Sequence, residues 1–139
     1  MSIQDLVGKW RLENWENFEE FMKEAGVGFI IRKAGNAALN FKPTIEIIVD
    51  GDNVTLDVKS TFKNQTVKSV LGKDFEEDTM DGRRVLSTIT FENGKLIHTQ
   101  KATKNGDQTT VVTRYREGDK MITIFRCNEV TSRWELSRV

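Results

Sequence analysis

The hydrophobic positions divide the chain into a short helical part and a long part with strand-like alternation. Within ENFEEFMKEAG the apolar side chains recur on one helical face, namely Phe18, Phe21, Met22 and Ala25. Asn17, with Glu20 three residues later, has the form of a capping box, and Gly26 is suited to end the helix. A second helix is predicted in GFIIRKAGNAALN, ending near Asn40 because Pro43 stops helix propagation.

From Thr44 onward, turn signals separate runs that are rich in β-branched residues. The signals are Asp50-Gly51, Lys63-Asn64, Asp81-Gly82, Asn93-Gly94, Asn105-Gly106 and Gly118-Asp119. With a first strand in LVGKWRLENW, the pattern predicts an all-β protein of about ten antiparallel strands, with two helices inserted after strand one. A meander of this length protects its edges most simply by closing into an up-and-down β-barrel, so the helices would form a helix-turn-helix lid.

A barrel of about ten strands is wide enough to enclose a cavity. In NVTLDVKS one face is apolar, with Val54, Leu56 and Val58, whereas both faces of KLIHTQK mix apolar and polar residues. Mixed faces favour an interior that holds polar groups beside apolar ones. Irregular edge strands of a filled barrel would give the same pattern.

The composition limits the domain number, the location and the chemistry. A chain of 139 residues, 37% of them hydrophobic, suits one domain over residues 1–139. Equal counts of 21 basic and 21 acidic residues give no net field that favours nucleic acid. The absence of a long apolar run and of a signal-peptide pattern predicts a cytoplasmic protein. With Cys127 as the one cysteine and His98 as the one histidine, we expect no disulfide, no zinc site and no cofactor.

Several motifs then occur in an order that is known from one family. They are GKWRL from Gly8, NFEEFMK from Asn17, GVGFIIRKAG, STFKN, LGKDFEEDTMDGRRV and TRYREGDKM. In these motifs, which cover nearly the whole chain, the sequence resembles the intracellular lipid-binding proteins, the family of fatty-acid-binding and cellular retinoid-binding proteins. The resemblance implies a calycin-like barrel of ten strands with a helical lid, a hydrated cavity for one or two hydrophobic ligands, a monomer and no catalysis.

The resemblance also implies roles for residues of the lid and of the turns opposite it. The predicted mouth, portal and gate residues are Phe18, Phe21, Met22, Val27, Ile31, Phe62 and Met80. For Phe18 we favour the alternative that it only attaches the lid to the barrel. Leu39 to Phe41 looks like extra length before the second strand, which leaves the lid geometry open.

Three basic residues of the lid, Lys23, Arg32 and Lys33, match positions that form a basic patch in some family members. Such a patch would contact membranes or a receptor, or direct nuclear import in addition to a cytoplasmic location. Ordinary solvated helix charges explain the same residues equally well.

Family members that bind fatty acids or retinoic acid typically hold the carboxylate with an arginine near the end of the eighth strand and an Arg-x-Tyr pair on the last. A guanidinium replaces the lost hydration of the carboxylate with charge and paired N–H donors. TRYREGDK places Arg114 at the first position, but an ungapped match puts Trp134 and Leu136 at the Arg-x-Tyr positions. The alternation of VTSRWELSRV agrees, since it groups these two residues on the less polar face and turns Arg133 outward.

Periodicity and resemblance disagree over Arg114. On its strand, Val111 and Tyr115 make the more apolar face, which on periodicity alone would place the arginine in solvent. The resemblance and the flanking REGDK place it inside, and we adopt that register. On the next strand Thr123 and Phe125 would then face the cavity.

These residues favour an intracellular carrier of a long-chain fatty acid, held by Arg114 with help from water and from Gln100 or His98. We favour His98 as a hydrogen-bonded wall residue. The alternative ligand is a retinoid, a bile acid or another bulky amphipathic lipid that packs on Trp134. An enzyme is not expected, because the one carboxylate cluster, Glu76-Glu77-Asp78, is interpreted as a solvated hairpin. A receptor-delivery protein is a third reading.

Overall fold

The computed structural model describes residues 2–139, which form ten antiparallel strands and two helices. The strands are β1 Gly8–Glu16, β2 Thr44–Asp50, β3 Asn53–Lys59, β4 Gln65–Val70, β5 Phe75–Asp78, β6 Arg84–Glu92, β7 Lys95–Ala102, β8 Thr110–Glu117, β9 Lys120–Cys127 and β10 Val130–Arg138. Helices α1 (Phe18–Glu24) and α2 (Phe29–Leu39) follow β1, and a 3₁₀ turn at Ile3–Leu6 precedes it. The strand number and the position of both helices confirm the predicted architecture.

The strands make one sheet in the order β4-β3-β2-β1-β10-β9-β8-β7-β6-β5, so that β4 and β5 are its edges. The barrel is therefore nearly closed, with a gap between β4 and β5, whereas we expected all strands to close it completely. Residues 71–74 connect β4 to β5, but these two strands do not pair with each other. The Gly72 N–H points to β6 instead and donates to the Ile89 carbonyl at 2.8 Å. Across the gap, the Gln65 amide donates to the Asp78 carbonyl at 2.9 Å.

The main core lies on the inward faces of the strands, as the alternation predicts. Its fully buried members include Trp10, Leu12, Ile47, Leu56, Ile89, Leu96 and Met121. The 3₁₀ turn contacts both β2 and β8, and Trp10 Nε1 donates to the Leu6 carbonyl at 2.9 Å. The Arg138 guanidinium stacks on the Trp10 ring, 4.2 Å from its centroid. These contacts close the end of the barrel opposite the lid.

Helix α1 is fixed to the barrel by packing and by its first turn. A second apolar cluster joins it to β9 through Phe21, Met22 and Cys127. Asn17 has a left-handed backbone (φ 61°), and its side chain makes no capping bond. Its amide instead donates to the Thr131 carbonyl on β10 at 2.8 Å. The predicted capping box is thus wrong, because the side chain that would cap the helix ties it to the barrel.

Helix α2 ends at Leu39, close to the predicted Asn40, and is held mainly through α1. The Arg32 guanidinium donates to Glu19 at 3.1 Å and to the Val27 carbonyl at 2.6 Å. Asn36 also donates to Glu19. In the segment from Leu39 to Phe41, which precedes β2, Leu39 is buried whereas Phe41 is exposed. No helix within residues 2–139 is long and apolar enough to cross a membrane.

Candidate functional site

A cavity of about 230 Å³ lies between the lid and the inner faces of the strands. It brings together all but one of the predicted site residues: Phe18, Phe21, Met22, Ile31, Phe62, Met80, His98, Gln100, Arg114, Thr123, Phe125, Trp134 and Leu136. Apolar side chains from β2 and β3, such as Ile45 and Leu56, complete much of the wall. The cavity therefore offers an apolar surface with a few polar groups, as a site for an amphipathic molecule requires.

Val27 is the predicted portal residue that does not line the cavity. It follows Gly26, whose φ of +90° turns the chain between the helices, and its N–H donates to the Met22 carbonyl at 3.0 Å. This turn buries the Val27 side chain in the cluster that contains Cys127. The expectation for this residue was therefore wrong, since the turn directs it under the lid.

A buried polar cluster lies in the cavity wall and consists of Glu77, Ser87, His98, Gln100 and Thr110, called the Glu77 cluster below. Glu77 Oε1 accepts hydrogen bonds from the Ser87 hydroxyl at 2.6 Å and from His98 Nε2 at 2.8 Å. The Gln100 amide lies 3.4 Å and 3.5 Å from the two carboxylate oxygens, and its own oxygen accepts from Thr110 at 2.8 Å. His98 is thus a hydrogen-bonded wall residue, as expected.

The Glu77 carboxylate is stabilised in its ionised form. Burial raises its pKa, but the hydrogen bonds and charge of His98, together with Ser87 and Gln100, outweigh burial and lower the pKa below the ordinary 4.5. Glu77 therefore remains an acceptor-only anion at neutral pH, with its hydrogen-bonding capacity occupied by protein donors.

Arg114 lies in the same wall, on the inward face of β8 with Thr110 and Val112. The guanidinium is buried, and among residues 2–139 no group accepts a hydrogen bond from its Nη1. Burial lowers the pKa of Arg114 to about 10, and the charge of Glu77 opposes this shift. The arginine thus remains a cation at neutral pH, balanced electrostatically by Glu77 but without a hydrogen-bonded acceptor.

Sheet register places Arg114 in one row with two other cavity residues. Arg114 on β8 lies directly opposite Thr123 on β9, and Thr123 lies opposite Trp134 on β10. Trp134 Nε1 is the second buried donor that has no acceptor within the described residues. Arg133, by contrast, makes ion pairs with Glu117 at 3.2 Å and with Glu135 at 3.5 Å on the outside. The predicted register of the last strand is confirmed.

The Trp134 ring is held in an aromatic group between lid and barrel. Its centroid lies 4.7 Å from that of Phe125 and 5.1 Å from that of Phe18. Phe21 joins this group at 5.4 Å from Phe125. Phe18 therefore attaches the lid to the barrel and also lines the cavity, so the favoured alternative, in which it only attaches the lid, is wrong. At the mouth, Asp81 pairs with Arg83 at 2.9 Å beside Met80.

Sequence reasoning missed Glu77, Ser87 and Thr110. The carboxylate run was interpreted as a solvated hairpin, which holds for Glu76 and Asp78 but is wrong for Glu77. The signal was present in the strand period, because alternation groups Glu77 with Phe75 on the inward face. Within residues 2–139, no three Asp, Glu, His or Cys side chains are arranged to hold a metal ion.

Comparison with known proteins decides the family. The model of the lipocalin / cytosolic fatty-acid binding protein family matches residues 7–131. The chain belongs to this family. It is 52% identical over 135 residues to fatty acid-binding protein homolog 6 of Caenorhabditis elegans, covering 97% of this chain and 98% of that relative. It is 40% identical over 130 residues to human fatty acid-binding protein 9, covering 94% of each chain.

Solved structures of the family share the fold closely. Apo lipid binding protein 8 of Caenorhabditis elegans superimposes with a TM-score of 0.93 at 36% identity, over 100% of this chain and 99% of the other. The fatty acid binding protein of Schistosoma mansoni, solved with arachidonic acid, gives 0.88 at 35% identity, over 100% of this chain and 99% of the other. The suspected family is thus confirmed. Because its members are non-enzymatic lipid carriers, the expectation of no catalysis is confirmed as well.

Proposed function

We propose that this protein is a cytoplasmic carrier, with residues 1–139 as one domain, that binds a long-chain fatty acid in the internal cavity. The observation that carries the proposal is the buried Arg114 guanidinium, whose Nη1 has no acceptor among the described residues and which lies in a largely apolar chamber. A buried donor of this kind is costly unless an oxygen acceptor reaches it. The head group of a fatty acid supplies such an oxygen, and its chain supplies the apolar remainder.

The apolar wall determines where the acyl chain would lie. Ile45, Leu56 and Val58 from β2 and β3 line one side, and the aromatic group around Trp134 lines another. Burial of a methylene group is worth about 0.8 kcal/mol, so chain length rather than the head group supplies most of the affinity. The relative from Schistosoma mansoni, solved with arachidonic acid, supports an acyl ligand of this class.

Entry would pass between α2 and the turns that carry Phe62 and Met80. These residues and Ile31 line the cavity. Since α2 is attached mainly through Glu19 of α1, it is the part of the lid that can move with few broken contacts.

A second ligand class, the bulky amphipathic lipids such as retinoids or bile acids, is favoured by one specific observation. Trp134 and Leu136 stand in the cavity and offer a broad apolar surface beside Arg114. A competition panel of oleate, retinoic acid and cholate against one probe separates the two classes.

A transient contact with a membrane or a receptor would use the lid. Phe29 and Ile30 are exposed at the start of α2, next to the cation of Lys33, whose Nζ lies 5.9 Å from the Phe29 ring centroid. Arg32 is largely occupied by Glu19 and the Val27 carbonyl, so Lys23 and Lys33 are the available charges of the predicted patch. The carrier would act as a monomer, in the cytoplasm and also in the nucleus.

The decisive experiment measures oleate binding by displacement of uncharged N-phenyl-1-naphthylamine. We expect Arg114→Gln to weaken oleate binding about tenfold, because one charged hydrogen-bond donor is lost. Arg133→Gln is the matched control, since it removes a guanidinium from the outer face of β10. Equal affinity of the Arg114 variant and the wild-type protein would remove Arg114 from the site, and failure of oleate to displace the probe at all would reject the carrier function.

A further inference from the structure

A chain of hydrogen bonds runs along the lid end of the barrel, outside the cavity. The Asn128 side-chain amide, in the turn between β9 and β10, donates to Glu24 Oε2 at 2.6 Å and to Gln108 Oε1 at 3.2 Å. The Gln108 carbonyl accepts from Arg83 Nη1 at 3.3 Å. Arg83 belongs to the turn that carries Met80, so the three bonds connect the end of α1 to that turn. They are called the rim clasp below.

The lid side of the rim clasp is an acid at the end of a helix. Glu24 is the last residue of α1, where the helix dipole disfavours a negative charge. A carboxylate in this position is stabilised by donors from outside the helix, and the Asn128 amide supplies one. Both N–H groups of that amide are used, since the second bond goes to Gln108. Glu24 is therefore explained by its contact with the barrel and not by the helix itself.

The turn that holds Asn128 is fixed on both sides. Asn128 has a left-handed backbone (φ 54°), which asparagine adopts more readily than most residues. Its carbonyl accepts from Arg126 Nε at 3.0 Å. Cys127, the preceding residue, is buried in the apolar cluster that holds α1 on the barrel. The rim clasp thus starts from a rigid point beside the packing under the lid.

The turn at the other end of the rim clasp is held together internally. The Thr79 N–H donates to the Arg83 carbonyl at 2.8 Å, and the Arg83 N–H donates to Thr79 Oγ1 at 2.9 Å. Arg83 Nε also donates to Asp81 at 2.9 Å. Met80 lies within this braced turn and lines the cavity. Its position relative to the lid therefore depends on how the whole turn is attached, and the rim clasp provides such an attachment.

We propose that Asn128 is a positioning residue for the cavity mouth, which holds the Met80 turn to the end of α1 so that α2 alone moves when a lipid passes. The inference rests on the proposed function, since it presumes that a lipid enters beside Met80. The cavity lining within residues 2–139 does not include Asn128, Gln108 or Glu24, so the rim clasp acts on the rate of passage and not on contacts with the bound lipid. Because its bonds to Asn128 are exposed, their loss should open the rim locally and leave the barrel folded.

The test measures the association and dissociation rates of N-phenyl-1-naphthylamine by stopped-flow fluorescence, with oleate as the displacing lipid. Asn128→Gly keeps the left-handed backbone but removes the amide, and we expect it to raise both rates about three- to tenfold with an unchanged Kd. Reaction of Cys127 with an aromatic disulfide should accelerate in the ligand-free variant as well. Asn93→Gly is the matched control, because Asn93 has a similar left-handed backbone (φ 51°) in the turn between β6 and β7, at the opposite end of the barrel.

A second variant separates a role at the mouth from a general structural role. Glu24→Ala removes the acceptor on the lid side, so lipid exchange should become faster in both directions. Its thermal stability should stay close to that of the wild type, because an unfavourable charge is removed from the end of α1. Glu129→Ala is the control, since Glu129 is an exposed acid in the same turn as Asn128.

Either of two results would overturn the inference while leaving the carrier function intact. One is an Asn128→Gly variant whose exchange rates and thiol reactivity equal those of the wild type. The other is a faster dissociation rate alone, with Kd weakened by the same factor, because Asn128 would then support the bound state and not the mouth. If oleate fails to displace the probe from the wild-type protein, the proposed function is rejected, and this inference is rejected with it.

Discussion

Glu77 Oε1 and His98 Nε2 lie 2.8 Å apart inside the barrel and join β5 to β7 across the intervening β6. The Ser87 hydroxyl of β6 donates to the same oxygen at 2.6 Å. One buried carboxylate thus links three neighbouring strands. Since β5 is an edge strand of only four residues, this link adds to the short ladder that attaches it to β6.

Replacement of this carboxylate should destabilise the protein in a pH-dependent way. Because the folded-state pKa of Glu77 is lowered, its stabilising contribution is complete above the ordinary value of 4.5 and disappears as the pH falls through the lower folded-state pKa. We expect Glu77→Gln to lose about 1–3 kcal/mol of unfolding free energy at pH 7, with the difference from wild type shrinking at acid pH. Urea unfolding monitored at several pH values measures this.

Glu76→Gln is the control for this prediction, because Glu76 precedes Glu77 on the same strand and faces solvent. Its stability should follow that of the wild type at every pH. A Glu77→Gln variant as stable as the wild type at pH 7 would show that the Glu77 cluster does not stabilise β5.

The buried charge of Arg114 should reduce the stability of the empty protein. Burial lowers the pKa of this group to about 10, so the penalty is present at all pH values below 10 and is relieved only as the pH rises above it. We expect Arg114→Met to stabilise the ligand-free protein by about 1–3 kcal/mol while weakening oleate binding. Thermal unfolding without ligand and probe displacement measure the two effects. A ligand-free variant that melts below the wild type would contradict the prediction.

The attachment of α2 should control access to the cavity. Glu19 of α1 accepts from Arg32 and Asn36 of α2, so Glu19→Ala removes both bonds at once. We expect faster exchange of bound lipid and faster modification of Cys127, which is buried beneath the lid and whose thiol pKa is raised by burial. Stopped-flow exchange and reaction with a thiol reagent measure the two rates.

Glu20→Ala is the matched control for the lid, since Glu20 makes only a 4.0 Å exposed contact with Lys23. Rates in this variant should equal those of the wild type. If Glu19→Ala leaves both rates unchanged, ligand entry does not depend on the bonds between α1 and α2.

Contact with membranes should depend on the exposed start of α2. We expect Lys33→Glu to slow transfer of a fluorescent fatty acid to vesicles that contain anionic lipid, because it reverses a charge beside Phe29. Transfer to neutral vesicles should change little. Lys101→Glu makes the same change on the exposed side of β7 and serves as the control. Equal transfer rates in the two variants would exclude this surface as the contact.

The sequence was sufficient for the fold because strand period, turn signals and the helical stripe all indicated one architecture. It failed where a tertiary contact overrode a local rule. Asn17 has the right type and spacing for a helix cap, yet the nearby Thr131 carbonyl takes its amide. Val27 was misplaced because the turn at Gly26 decides its direction, and a turn between helices has no periodicity that could predict it.

Part of the site was predictable and part was not. Arg114 required the family resemblance, since its own strand is more apolar on the other face and only a polar interior admits a buried arginine. Glu77 was missed because a run of acids suggests solvent, and its burial depends on donors from Ser87 and His98, which are distant in sequence. Because side chains alternate between the two faces of a strand, Glu77 lies on the same face as Phe75, and this rule alone places Glu77 inside the barrel.

The gap in the barrel lies between β4 and β5, which are consecutive along the chain, whereas the first and last strands, β1 and β10, pair with each other. Strands β1 and β10 are neighbours, and the Val139 N–H donates to the Lys9 carbonyl at 2.9 Å, so the last described residue lies against the start of β1. A circular permutant opened at Lys73, with a linker from Val139 to the start of the chain, would run through the sheet from one edge to the other. Residues 71–74 connect two strands that do not pair, so opening the chain there would remove no pair of hydrogen-bonded strands. Along the permuted chain, each strand would pair with the next one, as in a continuous meander.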